Sequence, residues 1–264
     1  MKNFVENYKL IRKNLYEDVF SSLKLHGWKK KYSKIKALLC IEIGAFLTFF
    51  ALKFKVKPNT ITLLFVLLVV IATILLSSKN NILVIIGLFI FFLKNTLDLI
   101  DGHIARVTKQ TSNIGHILDI WGGAVSHIFF QIATCLYVYS RTSDAIFLVA
   151  ILIICVLSLL DFKKHYLFFS EKEEQKKFTS DWKTQKEKIK NNFYGLKKQF
   201  VKIFLILDYD GRSRYTDLVI LIILVEIFKN QLIITTIIPY LWVATNIVKF
   251  LYKFYLIINV EKNK

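Results

Sequence analysis

The sequence predicts an all-α integral membrane protein with six transmembrane helices and an N-terminal amphipathic helix at the membrane interface. Hydrophobic residues make up 55% of the chain, and the mean hydropathy is +0.47. Both values favour a membrane protein over a soluble one. Several uncharged segments have about the length of a membrane-crossing helix, and basic residues flank them.

Residues 1–57 are predicted to form a cytoplasmic arm that ends in the interfacial helix. Apolar residues recur at helical spacing in its first part, namely Phe4, Tyr8, Ile11, Leu15 and Val19. Residues 37–54 are also apolar, but they contain Glu42 and have lysines on both sides. We therefore predict that residues 37–54 lie in the interface. A true membrane crossing is the alternative.

Residues 58–264 are predicted to form one transmembrane domain. Its six crossings are 58–78, 81–106, 120–140, 145–160, 215–228 and 230–248. Most of them have about the length that a helix needs to span a hydrocarbon core of roughly 30 Å. A lysine-rich segment, 163–214, lies between the fourth and fifth crossings. We interpret this segment as a cytoplasmic insertion that contains an amphipathic helix.

The net charge of +18 is mainly a topology signal. With six crossings, both termini share one side with the insertion and with the loop that holds Arg106 and Lys109. Most of the lysines and arginines are on this side, so the positive-inside rule places it in the cytoplasm. There the charge attracts anionic membrane lipids. Nucleic-acid binding is not expected, because the charge is spread over membrane-flanking loops without a recognisable reader module.

Three aspartates stand out against this apolar background. Asp98 and Asp101 end the second predicted crossing, three residues apart on one helix face, and Asp119 begins the next helix. Carboxylate oxygens suit Mg²⁺ or Mn²⁺, which commonly bridge carboxylates to substrate phosphates. Charge buried in a membrane is costly, so the three acids are predicted to be functional. A cation transporter is an alternative that would also use them.

Residues 98–119 follow the pattern D-x-x-D-G-x-x-A-R-x(8)-G-x(3)-D, which resembles the signature of the CDP-alcohol phosphatidyltransferase family. A cation transporter would not explain the Gly-x-x-Ala-Arg part. The resemblance implies transfer of a phosphatidyl or similar group from a CDP-alcohol, such as CDP-diacylglycerol, to an acceptor hydroxyl, with release of CMP. It also implies these contacts: metal ligands Asp98, Asp101 and Asp119, and nucleotide contacts Gly102, Arg106 and Ser112.

The remaining fixed residues of the pattern agree physically with a nucleotide site. Gly102 has no side chain, so a nucleotide can come close to the backbone. Ala105 keeps this face shallow, and Arg106 can pair with a phosphate. Gly115 lies four residues before Asp119, on the same face of the next helix.

Two further segments supply candidate substrate contacts. Asn59 and Thr62 belong to a Pro-Asn-x-x-Thr segment, and the resemblance implies that such a segment lies close to the nucleotide. Helix capping is its alternative role. Arg212 and Arg214 suit the phosphate of a phosphorylated acceptor alcohol, although positive-inside flanking also accounts for them. A homodimer is left open, because no helix face is distinctive enough to assign one.

The chain departs from the family pattern at Gly123, where the pattern has a further aspartate. In the family this aspartate is taken to complete the second metal site and to deprotonate the acceptor hydroxyl. His127, one helical turn further on, is predicted to be a substitute base. Hydrogen bonding within the helix bundle is its alternative role.

Other interpretations of this departure remain open. One is that an acceptor hydroxyl bound to the metal needs no strong base. Gly122 and Gly123 either let two helices pack closely or make room for a bulkier acceptor. The alternative function is a catalytically impaired family member that binds CDP-alcohol and metal as a membrane scaffold or regulator.

Overall fold

The computed structural model describes residues 2–22, 28–160 and 212–262, and all regular structure within these ranges is α-helical. The helices are α1 (Lys2–Ser22), α2 (Trp28–Lys53), α3 (Pro58–Leu76), α4 (Asn81–Val107), α5 (Asn113–Thr142), α6 (Ile146–Leu159), α7 (Arg212–Lys229) and α8 (Ile234–Lys262). The all-α prediction is confirmed for this part of the chain. The predicted insertion, 163–214, lies outside the described residues except for 212–214, which begin α7.

Five of the described helices are long and apolar enough to cross a membrane, which fits an integral membrane protein. They are Lys34–Lys53 within α2, then α3, α4 and α5, and Ile234–Leu251 within α8. The predicted count of six crossings is not confirmed. Helix α6 has 14 residues, so it is about 21 Å long and shorter than a core of roughly 30 Å. Helix α7, which carries Asp217 and Glu226, is not among the five either.

The segment predicted to lie in the interface, 37–54, forms most of α2. Within α2, Lys34–Lys53 has the length and hydropathy of a membrane crossing. Apolar side chains occupy its packed face, where Ile41 is buried, and also its outer face, where Leu39 and Phe46 are exposed. An interfacial helix would present polar residues outward. The interfacial assignment is therefore not confirmed.

The chain divides into two compact units. Unit 1 contains Met1–Leu75 and Ile86–Ser126, and unit 2 contains Leu76–Ile85 and His127–Lys264. Helices α1, α2 and nearly all of α3 belong to unit 1 with most of α4 and the first part of α5. The predicted boundary at residue 57, between arm and transmembrane domain, stays a prediction.

In unit 1, α1 packs along α2. Leu15 is fully buried and packs with Ile41 of α2. Glu42 accepts hydrogen bonds from the Tyr8 hydroxyl at 2.8 Å and from Arg12 Nε at 2.6 Å. The acid inside the apolar part of α2 is thus paired by two side chains of α1.

The start of α3 packs against the end of α4. Ile61 of α3 forms a buried cluster with Ile100 and Ile104 of α4. Helix α4 then closes with a hydrogen bond from the Gln110 backbone N–H to the Ala105 carbonyl at 2.9 Å. After this turn α5 begins, so the end of α4 is followed within a few residues by the start of α5.

In unit 2, a buried carboxylate joins α7 to the start of α8. Glu226 is 6% exposed and accepts backbone hydrogen bonds from Ile233 at 3.1 Å, Ile234 at 2.5 Å and Thr235 at 3.0 Å. The Thr235 hydroxyl also donates to it. This one side chain satisfies three backbone N–H groups at the start of α8, where donors have no partner within the helix.

Candidate functional site

The three aspartates of the sequence pattern lie near one another in unit 1. Asp98 and Asp101 occupy the last turns of α4, and Asp119 lies near the start of α5. The carboxyl groups of Asp98 and Asp119 are within hydrogen-bonding reach, and both act electrostatically on Asp101. Lys94, one turn before Asp98, supplies a nearby positive charge. The structure therefore brings together the acids that the spacing singled out.

Thr62 fixes the orientation of Asp101. The Thr62 hydroxyl donates a hydrogen bond to Asp101 Oδ2 at 2.5 Å, and the two residues are only 3% and 5% exposed. Helix α3 begins at Pro58, so Thr62 lies inside the helix rather than at its cap. Capping therefore does not account for Thr62, whose hydroxyl contacts Asp101 and also lies 3.4 Å from the Pro58 carbonyl oxygen.

Asn59, Ser112 and Gly115 form one polar group at the starts of α3 and α5. A Cβ atom at Gly115 would lie 3.1 Å from Asn59 Oδ1 and 3.2 Å from Ser112 Oγ. Ser112 Oγ accepts a hydrogen bond from the Gly115 backbone N–H at 3.0 Å and so caps the first turn of α5. A side chain at position 115 would require these polar groups to shift by a few tenths of an ångström.

Gly102 leaves an open stretch of backbone beside Arg106. The nearest atom to a Cβ built on Gly102 is Nη1 of Arg106, at 3.3 Å. Nη2 of the same guanidinium donates a hydrogen bond to Asp18 Oδ2 at 2.9 Å. Because the Arg106 side chain is 51% exposed, part of its guanidinium remains open to a ligand. Ala105, the neighbouring residue, adds only a methyl group to this surface.

Asp18 of α1 binds Arg106 of the site, and the sequence analysis did not predict this contact. Its Oδ2 also accepts a hydrogen bond from Nδ1 of His103 at 2.9 Å, and His103 is 2% exposed. Burial alone would raise the pKa of Asp18, but the hydrogen bonds and positive charge of His103 and Arg106 hold this pKa below its ordinary value. One feature of the sequence could have indicated that Asp18 has a partner. Asp18 adjoins Leu15 and Val19 on the apolar face of α1, where an acid needs a partner.

Gly122 and Gly123 have different surroundings although they are neighbours. A Cβ atom at Gly122 would lie 2.5 Å from Cζ of Phe65 and 3.3 Å from Cγ2 of Thr62, both on α3. A Cβ atom at Gly123 would meet nothing within 4 Å. Close helix packing therefore explains Gly122, whereas Gly123 leaves open space.

His127, the predicted substitute base, takes part in a polar chain within unit 2. Its Nε2 lies 3.5 Å from Nε2 of Gln131, and Gln131 Oε1 accepts a hydrogen bond from Asn246 Nδ2 at 3.2 Å. These contacts agree with the alternative role, hydrogen bonding within the helix bundle. The catalytic role of His127 stays a prediction.

Arg212 and Arg214, the predicted contacts to a phosphorylated acceptor, lie in the first turn of α7. Their side chains are outside the part of the molecule that the structure describes. Their role in acceptor binding therefore stays a prediction.

The donor chemistry of the acidic group fits a hard divalent cation. All three side chains offer carboxylate oxygens, and Asp98 Oδ1 is buried with no hydrogen-bond partner among the described residues. Among the same residues, the structure shows no group of three or more His, Cys, Asp or Glu side chains arranged to hold a metal ion.

Comparison with protein families gives a match that spans the site. The family model described as CDP-alcohol phosphatidyltransferase matches residues 55–247, well over half of the chain. The matched range includes all of α3 to α7 and the first part of α8. Comparison with curated proteins and with solved structures gives no significant match.

Proposed function

Because the chain belongs to the CDP-alcohol phosphatidyltransferase family, we propose that it transfers a phosphatidyl or similar substituted phosphate group from a lipid CDP-alcohol to an acceptor hydroxyl, with release of CMP. The observation that carries this proposal is the grouping of Asp98, Asp101 and Asp119 beside Thr62, inside the matched range. A lipid donor such as CDP-diacylglycerol suits a site built at the ends of apolar, membrane-length helices.

We further propose that Asp98, Asp101 and Asp119 hold Mg²⁺ or Mn²⁺. Asp98 Oδ1, which is buried and unpartnered among the described residues, would gain a ligand, and the mutual repulsion of the three carboxylates would be offset. When bound, the cation would neutralise the diphosphate of the donor and stabilise CMP as the leaving group. Thr62 would hold Asp101 in place through its hydrogen bond.

The side chains around Gly102 would receive the donor phosphates. The open backbone at Gly102 lets the diphosphate approach closely, and the exposed edge of Arg106 pairs with a phosphate oxygen. The acceptor oxygen then forms a bond to the phosphorus that carries the lipid alcohol. The bond from that phosphorus to the oxygen of CMP breaks, and CMP leaves with the electron pair.

The acceptor hydroxyl must also lose its proton. Gly123 offers no carboxylate for this step, so either another side chain accepts the proton or a metal-bound hydroxyl loses it without a strong base. His127 is the candidate, since it lies one turn further along α5 and an imidazole is a usable base near neutral pH. A polyol or a polyol phosphate would serve as the acceptor, with Arg212 and Arg214 binding a phosphate.

We also propose that the site and both termini face the cytoplasm, an arrangement that requires an even number of crossings, such as the six predicted from the sequence. The loop that follows α4 carries Lys109, three residues after Arg106 of the site region, and the arm is rich in lysine. The positive-inside rule favours this orientation. Labelling of Lys109→Cys by a membrane-impermeant thiol reagent only from the cytoplasmic side would support it; labelling from the other side would refute it.

The decisive experiment is measurement of CMP release by the purified protein in detergent. The mixture contains CDP-diacylglycerol, Mg²⁺ or Mn²⁺, and a pool of small polyols and their phosphates. We expect release that requires the divalent cation and is lost in Asp101→Asn, which keeps the size of the side chain but not its charge. His127→Ala then tests the substitute base.

The same experiment separates the transferase from a protein that only binds. If the wild type releases no CMP but is stabilised by CDP, and Gly123→Asp acquires turnover, the chain keeps a binding site without chemistry. The open space around Gly123 makes this substitution sterically reasonable. Cation flux in liposomes without any effect of nucleotide would instead favour a transporter.

A further inference from the structure

Arg106 is held by a residue that lies far from the family pattern in the sequence. Asp18 Oδ2 accepts hydrogen bonds from Arg106 Nη2 and from His103 Nδ1, each at 2.9 Å. His103 and Arg106 are three residues apart on α4 and so present their nitrogens on one helix face. One carboxylate oxygen of α1 therefore binds two side chains of α4.

The hydrogen bond to Asp18 uses only one edge of the guanidinium. Nη2 of Arg106 is engaged, while Nη1 lies over Gly102, at 3.3 Å from the position of a Cβ atom there. Gly102 is the place where the donor phosphates would meet the backbone. A flexible arginine that is already fixed in this orientation loses less conformational freedom when a phosphate binds to its free edge.

The placement of α1 does not depend on Asp18. Leu15 is buried against α2, and Tyr8 and Arg12 bind Glu42 of α2. Substitution of Asp18 would weaken the hydrogen bonds to His103 and Arg106 and leave these anchors in place. The role of Asp18 can thus be tested in a protein that still folds.

We propose that Asp18 is a positioning residue for the reaction. It holds Nη2 of Arg106 so that Nη1 faces the donor diphosphate over Gly102, and it acts on the substrate only through Arg106. This inference rests on the proposed function, since it assigns the free edge of Arg106 to a phosphate of the CDP-alcohol. The residue lies on α1, outside the range that matches the family.

The test compares Asp18→Asn with Glu17→Gln as a matched control. Glu17 is the neighbouring acid on α1, and its carboxylate lies 4.0 Å from the Lys13 ammonium with both side chains well exposed. Two quantities are measured on full-length protein in detergent with Mg²⁺: the affinity for CDP by calorimetry, and the steady-state kinetics of CMP release as CDP-diacylglycerol is varied.

We expect Asp18→Asn to weaken CDP binding and raise the donor KM by about tenfold, the change that one charge-assisted hydrogen bond produces. Its kcat should stay within about twofold of the wild type, because Asp18 does not touch the reacting atoms. Glu17→Gln should match the wild type in both measurements. In an Arg106→Ala background, Asp18→Asn should have no further effect.

Three results would overturn the inference. They are an unchanged CDP affinity in Asp18→Asn, a loss that persists in the Arg106→Ala background, and a wild type that does not bind CDP. The proposed function fails separately. If the wild type binds CDP without releasing CMP, and Asp18→Asn still weakens CDP binding, the transferase proposal is wrong while the positioning role of Asp18 is supported.

Discussion

Substitution of the two adjacent glycines of α5 by alanine should have different effects on the free energy of unfolding. In Gly122→Ala the new methyl group would lie 2.5 Å from Cζ of Phe65, far inside van der Waals contact. Phe65 is fully buried, so its ring has little room to move away. In Gly123→Ala the new methyl group meets nothing within 4 Å.

The expected magnitude follows from two contributions. Replacing glycine by alanine inside a helix stabilises it by about 1 kcal/mol, and this contribution is common to both variants. Overpacking a well-packed contact costs about 1–3 kcal/mol, and only Gly122→Ala should show it. The two variants should therefore differ by about 1–3 kcal/mol, which for a chain of this size corresponds to roughly 2–12 °C in Tm.

The assay is thermal unfolding in detergent, followed with a thiol-reactive fluorogenic dye. Cys40 and Cys135 are free and buried, so they react only when the protein opens. Gly122→Ala should unfold below Gly123→Ala, and Gly123→Ala at or above the wild type. Equal Tm values for the two variants would refute the assignment of Gly122 to close packing between α3 and α5.

Three further predictions concern single polar groups. Thr62→Val keeps the shape of the side chain but removes the hydrogen bond to Asp101; CMP release should fall by about tenfold, whereas Thr62→Ser should retain most of it. Glu226→Ala leaves the backbone donors at the start of α8 without their acceptor; the free energy of unfolding should drop by about 3 kcal/mol, and an unchanged Tm would contradict this. Asp18 has a pKa below its ordinary value, so its stabilising effect is complete above the unfolded pKa, about 4, and is lost as the pH falls through the lower folded pKa. The difference in Tm between wild type and Asp18→Asn, measured from pH 7 to pH 3, should be constant down to about pH 4 and then shrink. A difference that does not change with pH would contradict a stabilising role of the Asp18 carboxylate.

The sequence predicted the helical membrane architecture and the grouping of the acids because both depend on local patterns. Long apolar segments form helices that lipid can surround, and acids three residues apart share one helix face. Asp98 and Asp101 could thus be placed on α4 before the structure was known, with Asp119 on the helix that follows. The family pattern added Thr62 through its segment at the start of the first crossing.

Features that depend on contacts between distant helices could not be predicted in this way. Glu42 within an apolar stretch suggested an interfacial helix. Its partners Tyr8 and Arg12 are more than 25 residues away in the sequence, so the local pattern could not show that the acid is paired. Gly122 and Gly123 are equivalent in the pattern, and only the position of Phe65 on α3 distinguishes them.

The docking of α1 has a consequence for the modularity of this protein. The family match starts at residue 55, yet Leu99 of α4 packs with the cluster formed by Leu15 and Ile41, and Arg106 is bound by Asp18. A truncation that began at residue 55 would expose Leu99 and release the guanidinium of Arg106. The smallest autonomous unit of this enzyme is therefore larger than the segment that defines its family, and its first helix belongs to it.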